Sequence, residues 1–306
     1  MINGLINIYK EPGFTSHDVV AKLRGIVKQK KIGHTGTLDP DAEGVLPVCL
    51  GKATKLCDML AGETKTYEAV LLLGVTTDTQ DAGGIIRESR PVSCTEEEVR
   101  RCAEAFLGEQ LQVPPMYSAL KQNGKKLYEL AREGKEVERA ARPVHFYEIT
   151  VMKTELPRAW LRVTCSKGTY IRTLCHDIGE ALGCGGCMEH LTRTRVGRCE
   201  WKDAFRLSQV QLLSDQARLG ECILPLDKVF SSLPALQAEP EGDQAARNGG
   251  CLCPEQVRSC GEPAAWQDGR EYRVYDSKQA FIGIYRYDAE EAYFRLVKMF
   301  YDGQAG

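Results

Sequence analysis

Apolar residues along this chain change their spacing several times, and each change marks a new element. Leu5 to Tyr9 is a short apolar run that predicts a strand. Pro12-Gly13 then turns the chain. After an N-cap at Thr15 or Ser16, Val19, Val20, Leu23, Ile26 and Val27 recur with helical spacing, leaving Lys22, Arg24 and Lys28 on the water side. Residues 33–47 are dense in Gly, Asp and Pro and read as a loop, followed by a short strand at Val48 to Leu50 and another at Tyr67 to Leu73.

The middle of the chain continues in the same mixed manner. Thr95-Glu-Glu-Glu98 is a capping box that opens a helix running to Phe106, and Gly108 stops it. Residues 113–142 are irregular and poor in apolar side chains, with Pro114-Pro115 and a short basic helix near Lys125 to Arg132, so they predict a protruding insertion. Strands at Val144 to Lys153 and Trp160 to Cys165 precede a helix from Tyr170 to Leu182 and another from Ser208 to Arg218. Residues 231–250 read as a linker. Beyond it, Tyr272 to Tyr275, Ala280 to Tyr287 and Ala292 to Met299 predict a small β-rich appendage. The expected division is a catalytic domain at 1–230 and a second domain at 231–306.

Composition narrows the class. A chain of 306 residues with 43% apolar content fills two cores, and its longest apolar stretch, Ala69 to Val75, is far short of a membrane-crossing helix. The N-terminus MINGLINIYK has no basic leader or small-residue cleavage site, so a cytoplasmic location is expected. Thirteen cysteines are an odd number, which defeats a complete disulfide framework; Cys184-Gly-Gly-Cys187 has metal or redox spacing but nothing completes a ligand set, so no metal is expected. Net charge is −2, yet two basic clusters stand out: Lys28, Lys30 and Lys31, and the span from Lys121 to Arg142 with seven Lys/Arg against four Glu.

Familiar motifs fail in informative ways. Gly44 to Lys52 resembles a phosphate loop, but six residues separate its glycines and Ala53 follows Lys52, so it is not a Walker sequence. No His-x-Glu with Pro-Cys-x-x-Cys supports a zinc deaminase. The string Gly33-His34-Thr35-Gly36-Thr37-Leu38-Asp39-Pro40 remains. Its glycines permit close backbone approach, and Pro40 stiffens the residue beside it, so the Asp39 carboxylate is offered on a rigid loop.

That string resembles the signature of the TruB family of pseudouridine synthases. Lys65-Thr66-Tyr67-Glu68, Met116 to Lys121, and Ser166-Lys-Gly-Thr-Tyr-Ile-Arg172 agree with the same family in the same order. Tyr9 to Ser16 resembles the family's start, with Glu11 inserted between Lys10 and Pro12. The likeness spans roughly residues 4–230. It implies an α+β fold: a catalytic domain on a mixed, largely antiparallel sheet, plus a small β-rich, PUA-like RNA-binding domain.

The resemblance also implies a reaction, conversion of the uridine at tRNA position 55, in the T-loop, to pseudouridine. This isomerisation transfers no electrons or groups, so no cofactor is expected. Asp39 would attack C1′ or take the C2′ proton, and the sequence leaves both routes open. Arg172 would pair with Asp39, and Tyr67 would stack on the base and handle the C5 proton. Lys10, His34, Asp81, Tyr170 and Leu191 fall at substrate-binding positions, with His34 suited to fill the gap left by a flipped base. Lys125 and Lys126, in the insertion at 113–142, would grip the T-arm by its shape. The expected partner is tRNA, with no membrane and no obligate protein partner. Three other readings stand beside this one: a carboxylate hydrolase using Asp39 with Asp41 or Glu43, a noncatalytic tRNA chaperone, and a guide-RNA-dependent synthase.

Overall fold

The computed structural model describes residues 1–122, 124–261, 265–301 and 303. Position 123 of the expected insertion, and 262–264, 302 and 304–306 of the expected C-terminal domain, lie outside the described residues. The chain divides into two compact units: 6–49 with 54–222, and 223–306 with the short segments 1–5 and 50–53. The division therefore falls after Cys222 and not at 230, and it assigns two N-terminal segments to the smaller unit.

The larger unit begins with β1 (Gly4–Lys10), α1 (Ser16–Val27), β2 (Ile32–His34), β3 (Glu43–Leu50), α2 (Cys57–Ala61) and β4 (Lys65–Leu73). A small hairpin of β5 (Val75–Thr77) and β6 (Ile86–Ser89) follows, then α3 (Glu96–Glu104) and β7 (Gly108–Gln112). The insertion carries β8 (Lys121–Gln122), β9 (Lys125–Lys126) and α4 (Leu127–Arg132). The unit closes with β10 (Arg142–Glu155), β11 (Arg158–Cys165), α5 (Ile171–Ala181), β12 (Gly186–Val196), β13 (Cys199–Glu200) and α6 (Leu207–Asp215).

These strands form one sheet in the order β1-β3-β12-β4-β11-β10-β7, with β2 and β13 attached to β3 and β12. Most pairings are antiparallel, and β12 against β3 is parallel, so the sheet is mixed and largely antiparallel. Alternation explains its core: along β11, Ala159, Leu161 and Val163 face inward beside Leu71 and Leu73 of β4. Val99 and Ala103 of α3, and Leu174 and Ile178 of α5, cover that face. Both α1 and α3 start with the predicted capping boxes, Thr15 with Asp18 and Thr95 with Glu98.

The smaller unit contains α7 (Leu226–Val229), β14 (Ala235–Ala238), α8 (Asp243–Asn248), β15 (Val257–Ser259), β16 (Glu271–Tyr275), β17 (Phe281–Asp288) and β18 (Tyr293–Met299). Its five-stranded sheet runs β15-β14-β16-β17-β18 around Tyr272, Val274, Ile282, Tyr285 and Phe294. Residues 231–250, expected as a linker, instead supply β14 and α8. Asp243 and Asp276 explain why so polar a stretch folds: Asp243 accepts from the Ser277 amide and hydroxyl at 2.7 Å, and Asp276 accepts from Arg247.

Two other expectations change. The loop expected at 33–47 ends early, because β3 starts at Glu43, and β12 was not foreseen at all. The insertion is less bare than its composition suggested, since Met116 and Leu127 are buried.

Gly179 sets how closely α5 lies on the sheet. A Cβ there would stand 2.2 Å from the Gly186 amide nitrogen and 2.3 Å from the Gly185 carbonyl carbon, and backbone cannot yield as a side chain does. Gly179→Ala is expected to destabilise the protein by about 3 kcal/mol in urea unfolding at unchanged m. Gly25→Ala, in α1 with nothing within 4 Å of the added carbon, should instead stabilise it by roughly 0.5–1 kcal/mol. Equal effects at the two sites would show that contact with β12 is not what excludes a side chain at 179.

Candidate active site

The segment between β2 and β3 is held along its length by groups distant in sequence. Thr35 donates from its amide to the Pro47 carbonyl at 3.1 Å, and the Leu38 amide donates to Ser16 Oγ at 2.9 Å. Leu38 and Ala42 enter the core on either side of Asp39, and the Ala42 amide closes a turn onto the Asp39 carbonyl. Lys10 Nζ donates to the carbonyl oxygens of Pro40 (2.9 Å), Phe14 (2.6 Å) and Glu11 (3.2 Å). Asp39 is thus fixed by its backbone while its carboxylate keeps 42% of its exposure.

The carboxylate points into a cleft of about 800 Å³ within the larger unit. Arg172, in the first turn of α5, reaches it with Nη2 3.5 Å from Asp39 Oδ2. The same guanidinium donates to the Tyr117 carbonyl at 2.6 Å and to Asp81 Oδ2 at 3.3 Å. Asp81 is oriented in turn by Thr79 Oγ1 and the Gly83 amide. Arg172 is only 5% exposed, so the guanidinium is a fixed fork and not a mobile surface charge.

Tyr170 precedes α5, and its backbone is gripped by buried Gln112, which donates to its carbonyl at 3.0 Å and accepts from its amide at 2.8 Å. Its ring lies beneath Arg172 at 5.9 Å. Tyr67 is buried on β4, and burial pushes its phenol up to about 12 although nearby Arg193 pulls the other way.

Six of the expected site residues, Asp39, Tyr67, Asp81, Tyr170, Arg172 and Leu191, therefore line one cleft. Four do not. Lys10 was expected against substrate, but it is fully buried and its ammonium is committed to three carbonyls. His34 stands against His17 at 5.5 Å, and burial, followed by the His17 and Arg193 charges, holds its imidazole below the usual histidine range. Lys125 pairs with Glu133 at 3.3 Å, and Lys126 with the Tyr128 hydroxyl at 3.2 Å. The insertion sends Tyr128 and Arg132 to the cleft instead.

Two lining residues escaped the sequence reading. Lys65, on β4, donates to the Ala61 and Glu63 carbonyls, and Arg193, on β12, is 1% exposed. The only sequence signal for Arg193 was the polar-apolar alternation Leu191-Thr-Arg-Thr-Arg195-Val196, which marks a strand. Cys184 and Cys187 are buried, and among the described residues no group of three or more His, Cys, Asp or Glu side chains is arranged to hold a metal ion.

Comparison with known proteins places these residues in context. Residues 24–171 match the model of the TruB family pseudouridylate synthase N-terminal domain, and 172–231 match the tRNA pseudouridylate synthase B C-terminal domain. A protein of Lachnoclostridium phytofermentans named tRNA pseudouridine synthase B is 48% identical, over 98% of this chain and 100% of its own. One of that name from Alkaliphilus oremlandii is 40% identical over 98% of this chain and 99% of its own. Among solved structures, a chain of an H/ACA RNP bound to a substrate RNA containing 2′-deoxyuridine superposes with TM-score 0.72 at 26% identity, covering 98% of this chain and 85% of that one. A chain of a Cbf5-Nop10-Gar1 complex does so with TM-score 0.72 at 27% identity, over 97% and 84%.

Burial lowers Lys10 from 10.5 to about 8, with Asp41 and Asp39 pulling back upward. Between these values the unfolded chain binds the proton and the folded one does not, so this lysine's contribution to stability rises with pH. Relative to Lys10→Met, the native protein should therefore gain up to about 1.4 kcal/mol per pH unit between roughly pH 8 and 10. Urea unfolding of both proteins at pH 7.5, 8.5 and 9.5 checks this, and a constant difference would show that the buried ammonium keeps an ordinary affinity for its proton.

Proposed function

Because the chain belongs to the TruB family of pseudouridylate synthases, we propose that the tRNA uridine it isomerises to pseudouridine is the one at position 55 in the T-loop, with Asp39 as the reacting carboxylate. The observation that carries this reading is the pairing of exposed Asp39 with buried Arg172 at 3.5 Å across a cleft wide enough for a base and its ribose. The target uridine must leave its stack at a cost of a few kcal/mol, which stacking of ~1–3 kcal/mol per base and phosphate contacts offset. Tyr170 and Tyr67 offer aromatic faces, Leu191 an apolar wall, and Arg132 and Lys167 charge at the cleft for phosphates.

The chemistry follows from the charges. Asp39 attacks C1′ or removes the C2′ proton, and either route frees the base to turn and rejoin through C5. Arg172 orients the carboxylate, and Asp81 holds the other side of the guanidinium. A Tyr67 phenol pushed to about 12 keeps its proton near neutral pH, so it supports the base and relays the C5 proton without standing free as a phenolate. The T-arm is the proposed RNA element and the smaller β-rich unit a second, PUA-like RNA contact, working in the cytoplasm without an obligate protein partner. Hydrolysis by the same carboxylate would release free uracil, and the mass of treated RNA, unchanged by isomerisation, distinguishes the two.

Asp39→Asn keeps the side chain's size and removes the charge both routes need. Single-turnover conversion of a transcribed tRNA, mapped at position 55, should vanish while filter-binding affinity stays within about threefold. Conversion near the native rate would remove Asp39 from the chemistry. Replacing both Arg132 and Lys167 with Ala should reduce the slope of log affinity against log salt by about one to two, and an unchanged slope would return them to the status of solvated charges.

A further inference from the structure

Arg193 is the most deeply buried cation on the cleft, and among the described residues no carboxylate forms an ion pair with it. Such a charge is costly to bury unless its donors are met by well-placed acceptors. All of its nitrogens are met by carbonyls of the Asp39 segment: Nε donates to Val45 at 2.7 Å, Nη1 to Thr37 at 3.3 Å and Nη2 to Gly36 at 3.2 Å. The segment is gripped on both sides of Asp39 by one planar group.

The strand register makes this contact possible. Arg193 pairs with Gly44 of β3 on one side and with Tyr67 of β4 on the other. Gly44 has φ +106°, and a Cβ there would fall 2.2 Å from the Arg193 carbonyl oxygen, so the parallel contact needs glycine. Arg193 also hydrogen-bonds the Tyr67 side chain and acts electrostatically on Lys10, His34 and Lys65. Its remaining neighbours are thus the cleft and the loop that enters it.

We propose that Arg193 is a positioning residue: it fixes the Asp39 segment and the Tyr67 hydroxyl in one frame, so that both meet the same nucleotide. It touches neither substrate nor the reacting atoms and acts through the carbonyls it holds. This role rests on the assignment of Asp39 and Tyr67 to the chemistry, since a frame matters only if both act on one base.

The test uses the full-length protein with Arg193→Met and Arg193→Lys. Arg193→Met should slow single-turnover conversion of tRNA about 100-fold, the scale expected when a reacting group is displaced by an ångström, with tRNA affinity changed less than about threefold. Hydrogen–deuterium exchange should rise in 35–45 and stay unchanged in β4 and α5, which a general loss of stability would not produce. Arg193→Lys, with one charged nitrogen for three carbonyls, should show the same pattern at about 10-fold, and it stands in if the methionine variant does not fold. A rate within about threefold of native, or exchange in 35–45 unchanged or raised equally throughout, would overturn the proposal. If the native protein itself converts no uridine, the functional reading fails, whereas the exchange result still decides whether Arg193 holds the segment.

Discussion

A carboxylate can be presented rigidly on a loop only if the loop's own carbonyl oxygens find donors, and here buried cations supply them. Lys10 takes Pro40, Arg193 takes Gly36, Thr37 and Val45, and Lys65 takes the turn that leads into β4. None of these cations has a carboxylate ion pair among the described residues, so their charge is met mainly by backbone dipoles. The arrangement is expensive to desolvate, as the lowered proton affinities of both lysines show. What offsets that cost is the sheet: β1, β4 and β12 are strands whose other side chains are packed in the core, and the cations are carried in on them.

This constraint separates two kinds of charged residue that look alike on paper. Arg172 is buried but faces carboxylates, Asp39 and Asp81, and so organises charge in the cleft. Arg193 is buried and faces carbonyls, and so organises shape. Either guanidinium suits its task because it is planar and always protonated, qualities a lysine lacks.

The candidate site was legible where its chemistry is local. Asp39 with Pro40 and its flanking glycines announces a rigid carboxylate loop, and α1 and α3 declare their starts through their capping residues. What could not be read is what depends on distant partners. Lys10 looks like any exposed strand-end lysine until Pro40, 30 residues on, is found at its ammonium. β12 combines Glu189, His190, Arg193 and Arg195 with only scattered apolar residues, so it resembles a solvated segment; its neighbours β3 and β4 on both sides give it a central place. The smaller unit's β14 and α8 were hidden for the same reason, their polar residues being satisfied by Ser277 and Asp276 far along the chain.

The position of β12 between β3 and β4 bears on how the protein comes into being. Both neighbours are synthesised long before it, and each must wait with an open strand edge that invites pairing with another chain. Thr37 and Gly36 are followed by 156 and 157 residues before the arginine that holds them leaves the ribosome. During that interval the emerging polypeptide has its reactive aspartate but not its active site, so an unfinished copy can bind RNA without modifying it.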